Sequence, residues 1–323
     1  MLQPDSKPYY HTWVSVFMSP SSRVLSPRAV HAFLLVAAAV AGACAQDVHC
    51  TSLIQTRLPS TGKEGLASIY FLHIPKCGGT QFLDNSITGM VCNHSIPGDM
   101  YAKCNFPDLR SQGIRVGDHS GVGSLYDEYV KGRGIMLLRR PKQRIISGYQ
   151  DNMHSWPRYI YNRDPQDVLE YAKLVSGCAV KMMTRDGVSV SWGHDNTVCG
   201  DPTPATDEET QLAIRRLNNG FVFVGLVEEW TLTVCLLHAM FGSKCLPDEF
   251  DRELATPKSS NSTTDNASLH LDGFEDVQDE KLYEEARHFF RKKLQRFNVS
   301  TESCEPCLRE AHMFGNRSLP DTW

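Results

Sequence analysis

The chain has 323 residues, of which 41% are hydrophobic and 22% charged, with 17 Pro and 23 Gly. This composition excludes wholesale disorder, collagen and coiled coil, and the length suffices for a large buried core. A formal net charge of -4 argues against a general nucleic-acid binder, which needs a surplus of Lys and Arg, but it is compatible with a local basic site.

Residues 1–28, with Lys7, Arg23 and Arg28, read as a cytosolic tail or the n-region of a signal. Residues 29–45, AVHAFLLVAAAVAGACA, are almost entirely apolar and end on Ala43-Cys44-Ala45. That length is at the short limit for crossing a bilayer, about 17 to 25 residues, whereas the basic flank and A-x-A ending suit a cleaved signal peptide. An uncleaved anchor would leave a single-pass type II membrane protein of the Golgi, and a cleaved signal a lumenal or secreted one. Either way the chain enters the secretory pathway. Residues 46–65 are polar and aperiodic and read as a stem, and residues 66–323 as the lumenal domain. Glycosylation sequons at Asn93-His94-Ser95, Asn261-Ser262-Thr263, Asn266-Ala267-Ser268, Asn298-Val299-Ser300 and Asn316-Arg317-Ser318 agree with that compartment. So do eleven cysteines, ten of them beyond Cys44. Cys92 with Cys104, Cys178 with Cys199, and Cys235 with Cys245 are short-range disulfide candidates. Cys304-x-x-Cys307 has no second CxxC or His pair at ligand spacing, so it reads as a disulfide or two unrelated thiols, with no metal.

In chain order, residues 68–74 (SIYFLHI) predict a strand that stops at Pro75-Lys76-Cys77-Gly78-Gly79, and Thr80 opens a helix-like stretch, QFLDNSI. Residues 114–117 predict a second short strand leading to Asp118-His119-Ser120. A third, buried strand over 135–138 (IMLL) runs into Arg139-Arg140, and Pro141 begins a helix through Gln150. Helices follow over 167–175 and 207–218, the second with acidic residues in its first turn and Gly220 as a stop. FVFVGL, 221–226, predicts a fourth strand, followed by an apolar helix over 229–241. Residues 259–268 form a polar loop. Residues 280–296 predict an amphipathic helix with Leu282, Ala286, Phe289, Phe290 and Leu294 near one stripe. Strands alternating with helices predict an α/β domain on a parallel sheet.

In such sheets anions bind beyond the carboxyl ends of strands, where a glycine turn and a helix start present backbone amides. Pro75 to Thr80 fits that description. Gly78 and Gly79 allow close approach and positive φ, Thr80 adds a hydroxyl, and Lys76 supplies a mobile charge. The lysine precedes the glycines, so the segment is not a Walker A loop, and a nucleotide kinase is disfavoured.

FLHIPKCGGT, 71–80, resembles the 5'-phosphosulfate-binding loop of the Golgi membrane-bound carbohydrate sulfotransferases, commonly H-x-P-K-T-G-G-T. LRRPKQRIISGY, 138–149, resembles their 3'-phosphate motif, L-R-D-P-x-x-R-x-x-S-x-[YF], with the spacing from Arg139 to Ser147 preserved. FVFVGLVE, 221–228, is similar to their later F-V-G-L-x-E strand, and the three occur in family order. This family includes heparan sulfate 2-O- and 6-O-sulfotransferases and chondroitin sulfotransferases. The resemblance implies a P-loop-like three-layer α/β sandwich with a central parallel sheet. It also implies transfer of a sulfuryl group, without metal, from 3'-phosphoadenosine 5'-phosphosulfate to a hydroxyl of a glycan or glycosaminoglycan acceptor. In that reading Lys76, Cys77, Gly78, Gly79, Thr80, Arg139 and Ser147 bind the donor and Lys76 neutralises the leaving group. His119 is the general base, with His73, His94, His154 and Glu228 as competitors.

Two residues depart from the pattern. Cys77 stands where Thr is usual, which removes a hydroxyl donor. Arg140 stands where Asp is usual, which removes an acidic partner for nearby arginines and leaves the role of Arg144 open. On these departures rests the alternative of a glycan-binding pseudoenzyme that keeps the fold.

Overall fold

The computed structural model describes residues 69–92, 113–117, 119–187, 189–190, 195–196, 198–250, 271 and 273–311. Ile69–Leu72 (β1), Ile114–Val116 (β2), Gly134–Leu138 (β3) and Phe221–Leu226 (β4) form one parallel sheet in the order β2-β1-β3-β4. Phe71 lies opposite both Val116 and Ile135, and Leu138 opposite Leu226. Every residue of IYFL and GIMLL is buried, as required of central strands covered on both faces. The chain is an α/β protein, as the alternation of elements predicts.

A helical stretch over 79–92 (α1) follows β1. It opens at Gly79–Gln81, winds wider over Phe82–Ile87 and continues through Thr88–Cys92. Pro141–Gln150 (α2) follows β3, with Pro141 in its first turn where the missing N–H costs nothing. Then come Val168–Val175 (α3), Cys178–Thr184 (α4), Asp207–Gly220 (α5), Trp230–Phe241 (α6), Val277–Phe297 (α7) and Glu305–Glu310 (α8). Thr206 and Glu209 close a reciprocal capping box at the start of α5. Leu282, Ala286, Phe289 and Phe290 of α7 are buried in the main core.

Some boundaries differ from expectation for identifiable reasons. Helix α5 runs through Gly220 rather than stopping before it. That glycine is there for close approach, since a Cβ would come within 2.6 Å of Tyr126 Cε2. Helix α7 starts at Val277, ahead of 280, because the Asp276 carboxylate accepts the Asp279 N–H and so caps the helix. Helix α4 has no cap of its own. Asp276 accepts the Gly177 N–H, and Asp279 those of Ala179 and Val180, so its first turn is completed from α7.

Cys178 pairs with Cys199, as expected. Cys235 instead pairs with Cys304, and Cys245 with Cys307, in place of a Cys235–Cys245 link. Cys235 lies within α6 and Cys245 beyond its end, and a rigid helix rising about 1.5 Å per residue holds the two apart. Cys304 and Cys307 each reach a different partner. The Cys92–Cys104 candidate, the segments 1–28, 29–45 and 46–65, and the sequons other than that at Asn298 lie outside the described residues. Asn298 is exposed at the end of α7. Among the described residues no helix is long and apolar enough to cross a membrane.

Candidate functional site

β1 has β2 on one side and β3 on the other, so successive connections leave the sheet in opposite directions. Loops splay apart at such a reversal, and the crevice beyond the carboxyl ends of the strands is where open α/β sheets bind ligands. Each strand brings a candidate residue to that edge. β1 runs into residues 73–80, β2 into His119, β3 into Arg139 and Arg140, and β4 into Glu228.

The turn after β1 takes left-handed backbone at Lys76 (φ 62°) and Gly78 (φ 70°). Glycine adopts it freely, whereas a lysine does so at a cost of roughly 1 kcal/mol or more. A Cβ at Gly79 would overlap the His73 ring, so the backbone there must be bare. The Phe82 N–H donates to the Gly78 carbonyl at 3.1 Å, which starts α1 directly at the glycines and leaves the first amides of the helix without intrahelical acceptors. Thr80 is exposed beside them. Cys77 is turned the other way, 1% exposed and packed in the main core. Desolvation pushes its free thiol up to about 12, against the pull of Arg144 and Arg139. Its part in the turn is therefore its backbone, and the expected loss of a ligand-facing hydroxyl does not arise, because a threonine side chain there would also point into the core.

Arg144, Ser147, Gly148 and Asp151 follow one another at helical spacing and share the face of α2 turned toward this loop. A Cβ on Gly148 would overlap the Tyr171 hydroxyl and lie 3.6 Å from Lys76 Cγ. Asp151, just past the end of α2, accepts a hydrogen bond from Lys76 Nζ at 2.8 Å. Ser147 is buried on the same face. Arg144 is 4% exposed, donates to the Val175 carbonyl at 2.9 Å and lies 3.6 Å and 3.5 Å from the carboxylates of Asp276 and Asp279. Its role is structural, and the acid absent at position 140 is supplied by α7. The Nε atoms of Arg144 and Arg139 are both buried without a protein acceptor among the described residues. Arg144 already has its acids in Asp276 and Asp279, whereas Arg139, at the end of β3, keeps a donor for an anion.

Arg140 is exposed, and its backbone N–H donates to Glu228 Oε1 at 2.7 Å. The Tyr283 hydroxyl donates to Glu228 Oε2 at 2.7 Å. With both oxygens engaged, Glu228 ties the loop after β3 to α7 and is a poor candidate for a base.

Three histidines meet at the edge. The rings of His73 and His119 lie 4.2 Å apart between centroids, and His154 meets His119 nearly edge-on at 5.2 Å. His119 is buried on left-handed backbone (φ 57°), in a turn closed by the Ser120 N–H donating to the Gly117 carbonyl. His154 is fixed by its N–H to the Gly148 carbonyl, by Ser155 Oγ at 2.9 Å from Nδ1, and by the Tyr171 hydroxyl on its own carbonyl. Burial holds the His73 imidazole well below its usual pKa, and His119, His154 and Lys76 lower it further. It is a neutral packing partner over Gly79. His94 lies outside the described residues.

The sequence motifs thus assemble at one edge a flexible ammonium, a buried guanidinium donor, bare amides and imidazoles. Such a set can hold a polyanion and accept a proton. Asp151, Gly148 and the Asp276–Asp279 pair were not foreseen. Helical spacing from Ser147 could have found Asp151, but nothing local points from Arg144 to α7. Comparison of the chain with protein-family models, curated proteins and solved structures finds no match.

Proposed function

We propose that the chain is a sulfotransferase of the sulfotransferase fold, a three-layer P-loop-like sandwich, moving a sulfuryl group from 3'-phosphoadenosine 5'-phosphosulfate to a carbohydrate hydroxyl in the Golgi lumen. The observation that carries the reading is the convergence of Lys76 to Thr80, His119 and Arg139 at the reversal point of strand order. The donor's 5' end would lie on the amides of residues 77–80, and its 3'-phosphate would meet Arg139 and Ser147. Lys76 would neutralise charge growing on the bridging oxygen, an interaction that strengthens toward the transition state. His119 would take the acceptor proton. The inward Cys77 side chain and the acids beside Arg144 support an active enzyme over a pseudoenzyme.

The test is titration with adenosine 3',5'-bisphosphate, the desulfated product, followed by a sulfate-transfer assay with labelled donor and a panel of glycans. The wild-type melting temperature should rise with nucleotide by mass action. Arg139→Ala, losing a charge-assisted contact, should bind about 10-fold or more weakly. A melting temperature unmoved at saturating nucleotide, or an absolute requirement for magnesium, would overturn the assignment.

A further inference from the structure

We propose that Asp151 is a positioning residue for Lys76. Its carboxylate holds the ammonium in the free protein, and an anion takes the loop by drawing the lysine away. The inference rests on reading the loop after β1 as the donor site. The two residues are 75 positions apart, and Lys76 Nζ and Asp151 Oδ2 meet at 2.8 Å because β1 and β3 are neighbours and α2 turns one face to the loop.

The pair joins a fixed partner to a mobile one. Asp151 sits where α2 ends, with its N–H on the Ser147 carbonyl. The chain beyond it takes left-handed backbone at Asn152, Met153 and Ser155 and is pinned by the His154 N–H to Gly148. Lys76 has a set backbone but a four-carbon stem that can swing. Both side chains reach solvent, with 23% of Lys76 and 44% of Asp151 exposed, so burial does not lock the contact. An exposed pair of this kind is weak, whereas an ammonium on a phosphate oxygen makes a charge-assisted bond. A polyanion can therefore displace the carboxylate. Every ligand that recruits Lys76 must first break the pair, and Asp151 also repels the ligand directly, so it sets how much negative charge a ligand needs in order to bind.

The experiment is a double-mutant cycle on the affinity for adenosine 3',5'-bisphosphate, using wild type, Asp151→Asn, Lys76→Ala and the double variant, with circular dichroism to confirm folding. Removing direct repulsion tightens binding in both backgrounds. Removing the pair adds a gain only where Lys76 is present, so Asp151→Asn should improve affinity about 2- to 5-fold more with Lys76 than without it. Asp151→Glu should restore wild-type affinity. Equal gains in both backgrounds, or weaker binding by Asp151→Asn, would overturn the latch and leave the donor site standing, as a merely structural role for Asp151 would require. Failure of wild type to bind the nucleotide would overturn the donor-site reading and the latch together.

Discussion

At the carboxyl edge of the sheet, Lys76, His119, Asn152, Met153 and Ser155 hold left-handed backbone, three histidine rings crowd together, and the Lys76–Asp151 pair reaches solvent. The corner formed by α6, residues 242–250 and α8 is built differently. Two disulfides cross it. His238 is held between Ser243 Oγ at 2.7 Å and the Glu249 carboxylate at 2.8 Å. Glu249 is fully buried, and its carbonyl accepts from Trp230 Nε1. Two sets of metal-capable side chains lie in this corner, Cys235, Cys304 and Cys307, and His238, Cys245 and Glu249, but every sulfur in them is in a disulfide. The corner reaches the site through the back of α1, where Asn85 Nδ2 donates to the Asp248 carbonyl at 2.8 Å and Gln81 Nε2 to that of Glu249 at 3.4 Å, and through the Trp230 ring of α6, which lies against Gly78 and Phe82. One region combines left-handed backbone with solvent-reaching charge, and the other is buried and cross-linked.

If that division holds, substitutions should separate cleanly into losses of turnover and losses of stability. The largest effects fall at the edge. His119→Ala should lower sulfate transfer by about 10² to 10⁴-fold, as loss of a general base does. Lys76→Ala should lower it by about 10² to 10³-fold while changing stability by less than about 1 kcal/mol, because its ion pair is exposed. Near-native turnover in folded His119→Ala would remove the base from His119, and His154 would be the next residue to examine. In the corner the ordering reverses. Replacing Cys235 and Cys304 with Ala leaves the neighbouring Cys245–Cys307 link in place, so the loop released is only about 15 residues, which chain entropy values at about 3 kcal/mol, while nucleotide affinity should stay within about 2-fold. Urea unfolding and a binding titration on the same variant check both. A variant that unfolds normally but binds poorly would show that the corner belongs to the site.

The parts legible in the sequence are those with local signals. β1, β3 and β4 announce themselves as apolar β-rich runs and β2 only as a short segment, Pro141 marks the start of α2, and Gly78 and Gly79 mark the turn. These suffice to place Lys76, His119 and Arg139 at one edge, since a parallel sheet brings the ends of its strands together. What stayed hidden depends on residues distant in the chain. Helix α4 starts on carboxylates from α7, Arg144 finds its acids there too, and Cys235 and Cys245 pair across to α8. The inward turn of Cys77 was also hidden, because a motif gives residue types but not the side on which each side chain falls.

The smallest effect tests whether the His73 imidazole is held neutral by burial. Burial, then His119, His154 and Lys76, keep the His73 pKa well below its usual 6.5. Below pH 6.5 the unfolded chain therefore takes up a proton that the folded chain refuses. This contribution to stability is complete above pH 6.5 and is lost as pH falls through it, by at most about 1.4 kcal/mol per pH unit. Asp276 has the opposite sign. Burial and the Asp279 carboxylate push it up to about 7, so its contribution is present below its usual 3.8 and is lost as pH rises toward 7. Between pH 4 and 6.5 the two oppose each other, and the wild-type curve alone cannot separate them. His73→Asn removes one term. Urea unfolding at pH 7.5 and 5.5 should show wild type losing about 1.4 kcal/mol more than the variant over that interval. Asp276→Asn should lose more than wild type, because the compensating proton is gone. If wild type and His73→Asn lose the same amount, His73 titrates freely in the folded protein, and the edge is wetter and less strained than its geometry implies.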